Sequence, residues 1–182
     1  MSIFTAIQSL TGNAIVDELM IICAEYLVFL VPAALVFLWL FRGEEGKSDS
    51  FFGFSSVIIG LAVAYALGMI YSHPTPYMQG FETILTEAPE NSFPSQHTAV
   101  IFSLVWPLVY RKRKKLSAVV GIGAVLTGFA RIYTGLHFPL DILGGVIASL
   151  VGFGITFLLE EYIDRIGEEF KMLEERFYNL LT

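Results

Sequence analysis

The chain has 182 residues, 55% of them hydrophobic and 15% charged, with a formal net charge of −6 and a mean hydropathy of +0.67. A soluble domain carries roughly a quarter charged residues, so the apolar excess has to face lipid; the acidic balance excludes a nucleic-acid partner, which needs a basic face. The one cysteine, Cys23, excludes an intrachain disulfide and says nothing of redox compartment.

Residues 1–10 are too short to span a bilayer, which takes about 20 apolar residues per helix. Ile3, Phe4, Ile7 and Leu10 fall on one helical face, as expected of a small interfacial helix. Asn13 is placed to cap the next helix. No Lys or Arg precedes Arg42, so the start lacks the basic n-region of a secretory signal. The first apolar run is therefore expected to stay in the mature protein. It covers about 19–41 and is the first span, closed by RGEEGKSDS, read as a short polar connection. The second span is 51–71, with Ser50 as its N-cap.

Residues 72–95 form the longest segment outside the spans, broken up by Pro74, Pro76, Pro89 and Pro94. A short third span, 96–110, ends in Arg111–Lys115, RKRKK. The fourth covers 116–133 and the fifth 139–159, where Gly144, Gly145, Gly152 and Gly154 allow close helix contact. In the tail, 160–182, Ile163, Ile166, Phe170, Leu173, Phe177 and Leu180 step by three and four alternately. That stripe fits a helix lying on the membrane or on its own bundle. Its sharper reading is a dimerising or partner helix, the first giving a homo-oligomer.

Basic residues set the orientation. With five spans and the N-terminus outside, ten of the eleven fall inside and only Arg131 falls outside. Arg131, His137 and the proline-rich segment then share the extracytoplasmic surface of a cell membrane. Arg131, His137 and Asp141 lie within eleven residues, in TGFARIYTGLHFPLDILGG. A lone interfacial His or Asp is more often a cap or a snorkelling group, but ionisable residues grouped near membrane depth usually mark function. His137 and Asp141 are one helical turn apart, so the carboxylate can hold one imidazole nitrogen and leave the other free to attack. Arg131 offers a planar fork to phosphate oxygens. In NSFPSQHT, Ser95 stands at a helix start, either as a plain N-cap or with the free N–H groups of Ser95, Gln96 and His97 turned to an anion. His97 is a second histidine at the same face, suited to protonating a leaving oxygen. Glu25, in the outer part of the first span, either meets Arg131 or a head group inside the bundle or stays solvated near the surface.

These residues carry a resemblance. Pro94-Ser95-Gln96-His97 resembles the PSGH-type motif of the type 2 phosphatidic acid phosphatase superfamily, and Ala130-Arg131 through His137 to Asp141 resembles its SRx5Hx3D motif, with Ala130 in place of Ser. Within that superfamily the chain is most similar to the bacitracin-resistance-type undecaprenyl-diphosphate phosphatases, from Ile3 to about Phe157. The resemblance implies metal-independent hydrolysis through a phosphohistidine, with no cofactor. His137 is then the nucleophile, Asp141 its partner and His97 the general acid, while Arg131, Ser95 and Gln96 form the phosphate cradle. The superfamily's first motif, Kx6RP, is altered: Thr75 stands where its arginine is expected and Gly68 where its lysine is. His73 is a candidate to replace that arginine when protonated.

The expectation is an all-α, multi-pass transmembrane helix bundle of about five spans, one membrane-embedded domain over 1–182. Its expected substrate is a polyprenyl diphosphate, cleaved to the monophosphate and inorganic phosphate at the outer face. The alternatives are a phosphatase for another lipid phosphate, such as phosphatidic acid or phosphatidylglycerophosphate, and a catalytically impaired lipid-binding or transport protein.

Overall fold

Apolar runs separated by prolines, glycines and short polar turns dictate helices, because only helices and closed barrels satisfy the backbone inside lipid. The computed structural model describes residues 2–85 and 90–181, without the side chains of residues 175 and 177–181. Pro89 and the side chains of Phe177 and Leu180 lie outside what is described. The helices are α1 (Ile3–Gln8), α2 (Ala14–Glu25), α3 (Leu30–Phe41), α4 (Gly43–Ile70), α5 (Gln96–Tyr110), α6 (Lys114–Tyr133), α7 (Pro139–Leu158) and α8 (Glu160–Leu181). The protein is an all-α membrane bundle.

By length and apolar content α4, α6 and α7 each suffice to cross a membrane, and α2 with α3, bent by 40°, counts as a fourth if the pair is one span. The expected first span is thus broken by a 3-10 turn at Leu27–Phe29. Pro32 supplies the cause: it has no N–H for the Val28 carbonyl, and its ring crowds that carbonyl. The expected third span corresponds to α5, which has 15 residues, fewer than a crossing usually takes. Ile101, Leu104 and Leu108 bury it among its neighbours.

RGEEGKSDS is not a connection. The chain turns at Arg42 and Gly43, with Gly43 at φ 63°, and α4 starts at once. Glu44 and Glu45 occupy its first turn, where acids are favoured by the helix dipole. Ser50, expected as an N-cap, lies inside the helix and donates to the Leu35 carbonyl at 2.9 Å. Asn13 does cap α2, accepting from the N–H groups of Ile15 and Val16.

Packing between the helices relies on small residues and hydroxyls, as expected where lipid removes the hydrophobic drive between spans. A Cβ on Gly152 would run into the backbone of Gly60, so α7 and α4 touch main chain to main chain. A Cβ on Gly145 would lie 2.6 Å from the Ser95 carbonyl, which brings the start of α5 against α7. Gly154, expected to serve the same purpose, faces open space. Ser56 donates to the Ser103 carbonyl at 2.8 Å, and Trp106 to the Ser149 hydroxyl at 2.9 Å. Large apolar side chains such as Ile58, Ile122, Val125 and Ile147 point outward.

At one end of the bundle α8 lies along α4. Ile163 is buried, and the rings of Phe51 and Phe170 are 5.8 Å apart. Lys47 pairs with Glu174 at 2.8 Å, and Lys171 with Glu44 at 3.6 Å. Of the two readings of the tail, the helix on its own bundle is the contact observed. Ile166, Phe170 and Leu173 keep about half of their surface exposed, at 50%, 56% and 59%.

At the other end α1 docks beside the end of α6. Gln8 donates to the carbonyls of Ile132 and Tyr133 at 2.8 and 2.9 Å, meeting acceptors a helix terminus leaves open. Phe4 is buried between Phe81 and Phe138, with ring centroids 5.1 and 4.8 Å away. The proline-rich segment is stitched together by Asn91. Its amide oxygen accepts from the N–H groups of His73 and Phe93, and its nitrogen donates to the Gly68 carbonyl.

Candidate active site

The site is built where α6 ends and α7 begins. Leu136 N–H donates to the Arg131 carbonyl and Gly135 N–H to the Ile132 carbonyl, a Schellman turn with glycine at its left-handed position. Gly135 has φ 82°, and a Cβ there would also strike Thr83. This turn folds the chain back so that His137, four residues before Asp141 on the next helix, returns beside Arg131. Pro139 opens α7, where its missing N–H is no loss.

Arg131, His137 and Asp141 are buried, at 6%, 4% and 0% exposure. Arg131 Nη1 donates to Glu25 Oε1 at 3.0 Å and to the Ala24 carbonyl at 3.4 Å. Its Nη2 lies 3.2 Å from His137 Nε2. A guanidinium only donates, so Nε2 is the accepting nitrogen and the ring proton sits on Nδ1. Nδ1 lies 3.8 Å from Asp141 Oδ2, beyond hydrogen-bond reach, so the expected hold of the carboxylate on this nitrogen is not formed, and among the described residues Nδ1 has no hydrogen-bond partner. Burial pushes the His137 imidazole below the usual histidine range, with Asp141 partly opposing it. The imidazole is thereby held neutral near neutral pH, with its Nε2 lone pair accepting from Arg131. Arg131 Nε is buried and makes no hydrogen bond among the described residues.

Asp141 is shared. Oδ2 accepts from the Phe138 N–H at 2.7 Å, and Oδ1 meets His73 Nδ1 at 3.2 Å. His73 also lies 3.4 Å from the Ser92 hydroxyl, which donates to the His73 carbonyl. His73, considered as a stand-in for the missing arginine, is thus engaged with the carboxylate behind His137. Thr75 is fully buried, and among the described residues its hydroxyl has no hydrogen-bond partner. Glu25, whose place was open, meets Arg131.

Ser95 precedes α5 but does not cap it through its side chain, which accepts instead from the Thr98 hydroxyl at 3.0 Å. Its N–H is not free either, donating to the Asp141 carbonyl at 3.0 Å. That bond ties the two motifs together through their backbones. The N–H groups of Gln96 and His97, in the first turn of α5, are left open by helix geometry. His97 is half-buried, within electrostatic reach of Arg131 and His137. Among the described residues no group of three or more His, Cys, Asp or Glu side chains is placed to hold a metal ion.

Three features escaped the sequence reading. Ser92 and Asn91 orient His73, Gln8 fixes the end of α6, and Phe4, Phe81, Phe138 and His73 form an aromatic wall, the last two 5.1 Å apart. Only the polar run ending in NSFPSQHT hinted at the first. The other two depend on α1 folding back over α6.

A buried arginine–histidine–aspartate cluster thus lies at one end of a membrane helix bundle. The PAP2 superfamily profile matches residues 50–165, and the chain belongs to that superfamily. It is 31% identical over 170 residues to the undecaprenyl-diphosphatase BcrC of Bacillus subtilis, covering 90% of this chain and 88% of the relative. Its fold is similar to the crystal structure of Aquifex aeolicus LpxE, with a TM-score of 0.70 at 25% identity over 85% of this chain and 92% of that one. The PAP2-type phosphatidylglycerolphosphate phosphatase of Bacillus subtilis shares the fold at a TM-score of 0.66 and 22% identity, over 88% of this chain and 83% of that one. The protein is a membrane lipid phosphatase, a hydrolase.

Proposed function

We propose that the protein hydrolyses a polyprenyl diphosphate of the undecaprenyl type to the monophosphate and inorganic phosphate at the extracytoplasmic face of the cell membrane. The observation that carries this is the 3.2 Å approach of Arg131 Nη2 to His137 Nε2, which sets a phosphate-binding fork beside an accepting nitrogen. The substrate is supported by 31% identity to an undecaprenyl-diphosphatase over nearly the full length of both chains. The outward orientation rests on ten of eleven basic residues falling on the other side.

Arg131 Nη2 leaves His137 Nε2 for the phosphoryl oxygens, and the freed Nε2 attacks the terminal phosphorus, forming the N–P bond as the bond to the bridging oxygen breaks. His97 gives its proton to that oxygen on the departing lipid monophosphate. Asp141, 3.8 Å from Nδ1, stabilises the ring as it becomes charged. Arg131 and the open amides of Gln96 and His97 take the charge spreading over the phosphoryl oxygens. Water then attacks the phosphohistidine, His97 takes its proton, and the N–P bond breaks to release phosphate. Ser95 positions this cradle through its bond to the Asp141 carbonyl. The test is phosphate release by the purified chain from undecaprenyl diphosphate, phosphatidylglycerophosphate and phosphatidic acid in one detergent. The diphosphate is expected to give the highest kcat/KM, and His137→Ala to abolish release from all three. A glycerolipid phosphate turned over faster would reassign the substrate, and undiminished release by His137→Ala would remove the mechanism.

A further inference from the structure

The basic run at the opposite end of α6 is only partly consumed by the fold. Arg111 reaches Asp164 at 3.0 Å and Glu160 at 2.9 Å, and Arg113 pairs with Asp49 and Glu45. Among the described residues no hydrogen bond or salt bridge engages the charged ends of Arg42, Lys112, Lys114 or Lys115. These four rim a cleft of about 460 Å³ between the end of α3 and the start of α6. Its floor is apolar, made by Phe37, Leu38, Leu116 and Val119.

The turn into α6 is built in an unusual way. Arg113 N–H donates to the Leu108 carbonyl and Lys112 N–H to the Val109 carbonyl, another Schellman pattern. Its left-handed position, which favours glycine, holds Lys112 at φ 58°. A strained non-glycine residue points to a use for its side chain, and this one lies on the rim of the cleft. Below the rim the floor runs into exposed Phe37, Phe41, Val119 and Ile122, the faces that lipid covers. A ligand matching both parts has negative charge at one end and hydrocarbon at the other.

We propose that this cleft binds an anionic phospholipid of the surrounding leaflet, its phosphodiester headgroup held by Arg42, Lys112, Lys114 and Lys115 and its acyl chain laid over Phe37 and Val119. The lipid is not the substrate in place for reaction. Lys114 and Arg131 stand seventeen residues apart on α6, about 26 Å at the rise of an α-helix. A soluble anion fits less well, because it leaves the apolar floor uncovered. The occupied cleft joins α3 to α6 at the end away from Glu25 and Arg131, and it does so whichever lipid phosphate the enzyme hydrolyses.

The test is thermal unfolding of the full chain in detergent, titrated with phosphatidylglycerol, phosphatidylcholine or glycerol phosphate. Phosphatidylglycerol is expected to stabilise at concentrations about tenfold or more below those needed of phosphatidylcholine. The combined Arg42→Gln, Lys112→Gln, Lys114→Gln and Lys115→Gln variant is expected to lose that preference. Lys112→Gly, which suits the turn and cannot be blamed on misfolding, should weaken it about fivefold. Arg165→Gln, an exposed charge on α8, should leave it intact. The proposal is overturned if the wild type shows no preference, if the combined variant keeps it, or if Arg165→Gln weakens it equally. Equal stabilisation by glycerol phosphate would overturn the lipid as occupant.

Discussion

Replacing Arg131 by lysine keeps a positive charge beside His137 and removes the fork. In the wild type Nη1 donates to Glu25 at 3.0 Å while Nη2 lies 3.2 Å from His137 Nε2. A lysine ends in one nitrogen, a point charge that can hold one of these positions and not both. On the phosphoryl group lysine likewise gives one bond where the fork gives two; a hydrogen bond to a charged group contributes about 1.5–3 kcal/mol, so that loss predicts a fall in kcat/KM of roughly 10- to 150-fold. Arg131→Ala loses both and leaves Glu25 without its partner, predicting a fall of roughly a thousandfold or more. The assay is phosphate release from the diphosphate lipid under kcat/KM conditions, with circular dichroism to show that each variant is folded. A folded Arg131→Lys enzyme within about threefold of wild type would refute the reasoning, because the bridging geometry would then contribute nothing beyond charge.

Other consequences arise from the same contacts. His73→Ala removes the 3.2 Å partner of Asp141 and touches nothing on Arg131, so kcat is expected to fall about tenfold with KM little changed. A raised KM at constant kcat would show that His73 holds phosphate instead. Phosphorylation of the enzyme needs neutral His137, whose proton affinity burial lowers. The ring therefore stays neutral as pH falls through the ordinary histidine value of about 6.5. Rapid-quench measurements should show no fall in the phosphorylation rate as pH is lowered to that value, and an acid limb centred at or above it would contradict this. Gly135→Ala puts a Cβ at φ 82° and into Thr83, whereas Gly12→Ala, at φ 111°, meets open space. Thermal unfolding should show the first destabilised by roughly 1–3 kcal/mol and the second by less; equal losses would show that the Thr83 contact is without effect.

Much of this architecture is legible in the order of residues. Apolar runs of spanning length, the Asn13 cap and the spacing Arg131–His137–Asp141 are local signals, and local signals survive without a fold. The start of α4 was hidden because GEEGKSDS is polar, and polarity alone does not separate a solvated helical turn from a connection. The break after Glu25 was signalled by Pro32, but the apolar run through it looks continuous. Contacts across long separations left no local trace. His73 and Asp141 are 68 residues apart, Glu25 and Arg131 are 106 apart, and Gln8 reaches Ile132 across 124. The neighbours of Asp141 and Arg131 therefore became visible only once α2, α6 and the proline-rich segment were brought together.

The central claim is that His137 forms the covalent bond to phosphorus. It is tested most directly by quenching the purified chain within milliseconds of mixing with undecaprenyl diphosphate labelled in its terminal phosphate. The account predicts label on the protein that is stable to alkali, lost in acid and confined to the peptide carrying His137, with none in His137→Ala. Label on the peptide carrying His97 instead, or full turnover by His137→Ala, would contradict it.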